Sequence, residues 1–274
     1  MVRRKTEFLL CRWLQSHHFI VLMELSAFAA FISGYSISVS TGSVNPIFPY
    51  ISDTGTTPPA SCFFGLFLNM SAAFGAVAIY IRHRHVEAKN MNHHGMHKLN
   101  DISMLLGLLS CLGMMIVACF QWSVAGTTHL IGALMVFLLG GIYCWCQSVL
   151  SFKCISIPTS KVLMFTRALL SSVAVVGLVM TIMFTAFANR ELFKAGYNAT
   201  TFDWEKRLHW SSKYPGYGQH LVSVFSEWMM CFAFLLFFAT YYKDFKNLDT
   251  KVHVNVRNSV EDNDIITNKN TVTV

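Results

Sequence analysis

Six long apolar runs divide the chain, at residues 19–39, 62–81, 102–120, 127–150, 162–188 and 221–241, with polar stretches between them. Each can cover a hydrocarbon core, which takes about 20 residues of helix. A segment in lipid must satisfy its own backbone N–H and C=O groups, so continuous runs of this length close as helices. Barrel strands would be about half as long and would alternate in polarity. The pattern predicts an all-α, polytopic membrane protein, a six-transmembrane-helix bundle. Residues 1–18 form a cytosolic N-terminus, 19–243 the transmembrane domain and 244–274 a disordered cytosolic tail. The tail is polar, with Glu261-Asp262-Asn263-Asp264 and no apolar periodicity. The first run is longer than the core of a secretory signal and lacks a small-residue cleavage site, so it is read as a retained span.

Composition agrees: 54% hydrophobic and 13% charged residues would leave a soluble domain with more apolar surface than it could hide. Arg3, Arg4, Lys5 and Arg12 precede the first run, and no Lys or Arg lies between residues 39 and 81. The positive-inside rule therefore puts the N-terminus in the cytosol, together with Arg82, Arg84, Lys89, Lys98, Lys153, Lys161 and the tail. One loop argues against the rule, because Arg190, Lys194, Lys206, Arg207 and Lys213 fall on the lumenal side. That loop also holds Asn198-Ala199-Thr200, an N-glycosylation pattern usable only in the lumen. Asn69-Met70-Ser71 fits the pattern too, but inside the second run, where the transferase does not reach.

The net charge of +7 is accounted for by cytosolic flanks that also attract anionic lipid headgroups. Without basic residues interleaved with aromatics on a soluble surface, no nucleic-acid partner is expected. Most of the eight cysteines lie in or beside predicted helices, where Cys packs as a small apolar residue; Cys62 and Cys119 at neighbouring helix mouths could pair. His83, His85, His93, His94 and His97 cluster in the first cytosolic loop, as a solvated loop or as a metal or pH-sensing group. Phosphate loops, nucleophile elbows and metalloprotease patterns are missing, so no catalytic residue, metal or cofactor is assigned.

Chemistry, if present, must use intramembrane groups. Glu24 and Arg167 both lie about 7 Å in from the cytosolic starts of their helices, which allows a structural ion pair, unless both reach out to the interface. Near the lumenal face, Asn69, His129 and Glu227 fall within roughly 10 Å in depth and form the candidate polar site. His220, Ser223, Glu227 and Cys231 recur at helical spacing as a polar stripe facing the bundle interior, either lining a pocket or gluing helices together. Ser26, Ala30, Gly34 and Ser38 give the first helix a small-residue face for close packing. In the first lumenal loop, Asp53-Thr54-Gly55 reads as a turn with Gly55 at positive φ, Pro58-Pro59 stiffens the chain, and Ser61 is placed to cap the second helix.

That loop also carries a resemblance. PYISDTGTTPP over residues 49–59, with Tyr50, Asp53, Thr54, Gly55, Pro58 and Pro59, is followed by FGLFLNMSA over 64–72, THLIGA over 128–133, SEW over 226–228 and FFATYYKDF over 237–245. Together they resemble the DRAM family of damage-regulated autophagy modulators, and the DTGT form is similar to its autophagy-linked branch. The resemblance implies a non-enzymatic, multi-pass protein of lysosomal membranes that modulates autophagy and, in some members, cell death. Its partners would be membrane lipids and autophagy or lysosomal membrane proteins. The alternatives are another endomembrane or the plasma membrane as location, and transport of a small solute, ion or lipid as activity. Val272-Thr273-Val274 could offer Val274 to a PDZ groove, and Tyr242-Lys243-Asp244-Phe245 looks like a tyrosine sorting signal set against the membrane.

Overall fold

The computed structural model describes residues 15–89, 94–153, 160–198 and 202–248. Expectations for the basic N-terminal residues, His93, Thr200, the acidic tail and Val274 lie outside the described residues. In chain order the helices are α1 (Ser16–Ser40), α2 (Ile51–Thr54), α3 (Ala60–Lys89), α4 (His94–Cys119), α5 (Trp122–Leu134), α6 (Gly140–Lys153), α7 (Lys161–Lys194), α8 (Trp204–Leu208), α9 (Tyr217–Ala239) and α10 (Tyr242–Lys246). A single π turn, Met135–Leu139, joins α5 to α6. Six helices among the described residues are long and apolar enough to cross a membrane: α1, α3, α4, the α5–α6 rod, α7 and α9. The all-α class and the six spans match the sequence pattern.

The long helices form a ring of antiparallel neighbours, built by small residues that let backbones approach. Ser71 donates to the carbonyl of Met23 between α3 and α1 (3.0 Å), and Gly34 of α1 sits against Phe64 of α3. The small-residue face of α1 is thus used as expected: Ser26, Ala30, Gly34 and Ser38 are all buried. His83 of α3 meets Asp101 of α4 at 2.7 Å, and Gln147 of α6 donates to Ser103 of α4 at 2.8 Å. Ser148 and Ser171 join α6 to α7, while Thr185 and Ser223 join α7 to α9. Phe31 and Trp228, edge to face at 6.0 Å, close the ring between α1 and α9. The π turn widens the helix opposite α4, where Ser110 donates to the carbonyl of Val136 at 3.0 Å.

One end of the ring is closed by charge. Arg82 of α3 and Arg167 of α7, both 0% exposed, converge on a single carboxylate, Asp244 of α10, at 3.2 and 2.7 Å. Their other donors are satisfied as well. Arg82 reaches Gln147 and Ser151; Arg167 reaches Ser151, the Thr240 hydroxyl and the Thr240 carbonyl. The Tyr241 ring lies under both guanidinium groups, 4.9 and 4.8 Å from its centroid.

This arrangement corrects three expectations. Arg167 does not pair with Glu24, whose Oε1 is buried without a partner. Depth arithmetic matched the two residues, but α9 and α10 stand between α1 and α7, so they occupy different sides of the ring. Arg82 is not a loop residue, since α3 continues to Lys89 with Arg82, His83 and His85 buried. Nor does the tail begin at 244: Thr240 and Tyr241 keep right-handed helical angles and carry the last span on into α10, where Phe245 is buried against Tyr241.

A buried ion group broken from one side costs about 3–5 kcal/mol. Asp244→Ala is therefore expected to lower melting temperature and cellular abundance sharply, and Glu24→Ala, which removes a half-buried carboxyl with no arginine partner, to leave both near wild type. Comparable losses in the two variants would refute the assignment of Asp244 as the arginines' partner.

Candidate functional site

The opposite end is closed by two docked loops. Tyr35 donates to the Pro46 carbonyl, Ser38 to that of Thr54, and Trp228 to that of Pro49 at 3.0 Å, fixing the segment around α2 onto α1 and α9. Asn45 then clasps the second loop, its amide nitrogens donating to the carbonyls of Leu208 and Trp210. That loop is held by its own aromatic cluster of Phe202 and Trp210 with Tyr197, Tyr214 and Tyr217. Asp203 caps α8, accepting from the Lys206 amide. Gly216 starts α9 at φ +77, where a Cβ would lie 2.6 Å from the Ala188 carbonyl oxygen, so two separate constraints require glycine there.

The sequence reading of the α2 segment changes in detail. Ile51–Thr54 is a helical turn, and Gly55 has φ −101 rather than a positive value. Gly55 is needed for closeness instead: a Cβ would come within 2.4 Å of the Phe64 ring. Pro58 and Pro59 are exposed at the rim, whereas Thr54 is buried with its hydroxyl on the Ile51 carbonyl. Ala60, not Ser61, opens α3.

Under this cap lies a chamber of about 210 Å³ whose mostly apolar wall, with Leu134, Leu178 and Met230 in it, carries the polar groups of Tyr50, Asp53, His129, Arg207, His220 and Glu227. A second cavity of about 140 Å³ adjoins it inside the ring, walled by apolar side chains such as Met23, Phe31, Leu68, Phe137 and Phe234. Ser52, His129, Ala133, Phe137 and Glu227 border both cavities.

The chamber's polar groups come from five elements. Tyr50, before α2, joins Ser223 of α9 at 2.8 Å and Thr185 of α7 at 3.0 Å in a ring of hydroxyls, and the Ser223 hydroxyl donates to the Thr181 carbonyl at 2.9 Å. His220 stacks on Trp210 at 4.5 Å and meets the Tyr50 ring edge to face at 5.2 Å. On α5, His129 donates from Nδ1 to the Phe120 carbonyl at 2.7 Å, which leaves Nε2 as the acceptor of a neutral ring. Glu227 of α9 is 7% exposed and is approached by the Ile51 backbone, yet its Oε2 has no partner. Trp210 Nε1 and His220 Nδ1 are likewise buried without one.

Electrostatics outside the spans centre on Asp53. Burial pushes its carboxyl from 3.8 up to about 7, opposed by the nearby Arg207 guanidinium and a backbone hydrogen bond at Tyr50. Burial likewise raises the Tyr50 phenol to about 12 and lowers Arg207, which is steadied by Asn189 at 3.2 Å.

Of the trio chosen by depth, His129 and Glu227 share both cavities, and Asn69 does not join them. Asn69 donates to the Gly65 carbonyl and faces Cys119 of α4 at 3.5 Å; the residues α3 turns toward the cavity include Leu68 and Ser71. Cys62 and Cys119 are free thiols. The stripe of α9 does face inward, with His220, Ser223, Glu227 and Cys231 all buried. The reading missed Arg207 and Trp210. The available signal was Arg207's place in the one loop that breaks the positive-inside rule, since a basic residue on the wrong side can be held there by a buried carboxylate.

A ring of membrane-length helices, with a chamber holding buried ionisable groups at one end and an arginine knot at the other, defines a multi-pass membrane protein. The comparisons agree: residues 15–248 match the Frag1/DRAM/Sfk1/Cwh43P N-terminal domain. The chain is 38% identical over 229 residues to DNA damage-regulated autophagy modulator protein 2 of Rattus norvegicus, covering 84% of this chain and 83% of that one. It is 36% identical over 229 residues to DNA damage-regulated autophagy modulator protein 1 of Mus musculus, covering 83% and 90%. The modulator of macroautophagy TMEM150B of Xenopus tropicalis is 45% identical over a shorter 121 residues, 43% of this chain and 50% of that one. No solved structure matches. This chain belongs to the DRAM family, whose matched relatives are named as modulators rather than enzymes.

A carboxyl whose pKa rises on folding holds its proton more tightly in the folded chain. The stability contributed by Asp53 is therefore complete below about pH 4 and is lost as pH rises through about 7. The melting temperature should fall from about pH 5 to about pH 8, and Asp53→Asn should flatten that part of the profile. An unchanged slope in the variant would assign the dependence to another group.

Proposed function

We propose that this chain is a lysosomal, multi-pass membrane protein that modulates autophagy, and through it cell death, as a non-enzymatic regulator. The observation that carries the reading is similarity over most of the chain to proteins named autophagy modulators. In this reading both termini and the arginine knot face the cytosol, α2 and α8 face the lumen, and Asn198 carries an N-glycan. Partners are lysosomal or autophagy membrane proteins and lipids, met on the cytosolic loops and outer helix faces, with Val274 as a further docking point.

Transport of a small solute, ion or lipid is the second reading. In its favour, Glu227 borders both cavities. Against it, the inner cavity is walled by Phe, Met and Leu, and the Arg82–Arg167–Asp244 knot fills the far end.

In knockout cells, re-expressed wild type is expected to restore autophagic flux from lysosomal membranes, and Glu227→Gln to do so equally at matched abundance. Failure of the wild type would overturn the function, and selective failure of Glu227→Gln would favour transport. The wild type should also shift in gel mobility on glycosidase treatment, and Asn198→Gln should not; an unshifted wild type would remove the glycan.

A further inference from the structure

Three polar atoms without a protein partner, Glu227 Oε2, His220 Nδ1 and Trp210 Nε1, belong to residues that line one chamber. Each of the three residues is more than nine-tenths buried. Buried polar groups without partners are costly, so an occupant that brings a polar group to them within the otherwise largely apolar wall is favoured. Neighbouring charge narrows its nature. The chamber has two carboxyl groups, Asp53 and Glu227, facing one guanidinium, Arg207, with His129 and His220 buried beside them.

With both carboxylates ionised, the chamber carries one negative charge in excess; the pair must either keep a proton or take in a cation. Tyr50 and Trp210, the latter with one face stacked on His220, are among the lining residues, and aromatic rings attract an organic cation. The adjoining cavity is largely apolar and, at about 140 Å³, comparable to one that accepts a benzene ring. Glu227, at the border of the two, is placed where a charged head would meet an apolar body.

We propose that the chamber is a binding site for a small amphipathic organic ammonium ion, its charged head between Glu227 and Asp53 and its apolar body in the adjoining cavity. The ammonium replaces the proton that the carboxyl pair holds when empty, so binding releases a proton and weakens as pH falls. This site is independent of the organelle and of any role in autophagy.

The test uses the full chain in lipid nanodiscs and three ligands of nearly equal size: 2-phenylethylamine, 2-phenylethanol and phenylacetate. At about pH 7.5 the amine should raise the melting temperature saturably, and its affinity should fall about tenfold or more by about pH 5.5. The alcohol should act weakly and the acid not at all. Glu227→Gln should reduce amine binding to the level of the alcohol. Ala133→Leu, which fills the shared wall without touching a charge, should weaken it as well and serves if Glu227→Gln does not fold. No amine effect, equal effects of all three ligands, or an amine effect indifferent to pH and to both substitutions would overturn the proposal.

Discussion

The architecture depends on one group of charges, two buried arginines sharing the carboxylate of Asp244. Neither guanidinium could lie in a lipid-surrounded bundle unpaired, and removing either partner of such a group costs several kcal/mol. The knot gathers α3, α6, α7 and the α9–α10 turn at one level through Arg82, Gln147, Ser151, Arg167 and Thr240. With Tyr241 beneath both cations and Phe245 stacked on Tyr241, the helical path of the last span is carried on through α10. Apolar packing alone discriminates poorly among helix arrangements in lipid, because the tails are as apolar as the side chains. A charge group that tolerates a single geometry supplies that discrimination.

The other end is built differently. The knot gives every guanidinium nitrogen an acceptor, whereas the chamber leaves an oxygen of Glu227 and a nitrogen each of His220 and Trp210 buried without a partner. The helix that serves both is α9, with His220, Ser223 and Glu227 on the chamber and its C-terminal Thr240 on the knot. The loops over the chamber are held by backbone carbonyls accepting from Asn45, Ser38 and Trp228, and by a cluster of rings. Such contacts fix a cap without demanding charge at the membrane surface.

Much of this was legible in the chain. The six runs read as six helices because lipid offers the backbone no other way to satisfy its polar groups. The α9 stripe and the α1 small-residue face read correctly because both depend only on the period of one helix. Errors arose where two helices had to be placed around a ring. Glu24 and Arg167 share a depth but not a side, and Asn69 shares the depth of His129 and Glu227 while pointing at α4. Asp244 reads as tail because the apolar run ends before it, and local composition carries no sign of two arginines on other helices that need its carboxylate.

The sequence by itself determined the class of the protein, the number of spans, the faces of individual helices and the family. The first three follow from hydrophobic length and from periodicities within one segment, and the family from the resemblance of motifs such as PYISDTGTTPP over residues 49–59. Only the tertiary structure decided which charges meet, that Gly55 serves a close approach to Phe64 rather than a positive φ, and that Asp53, Arg207 and Trp210 come from distant loops to enclose one chamber. The physical reason is angular: rise per residue fixes depth along a helix, but azimuth around a bundle is set by packing of all its neighbours together.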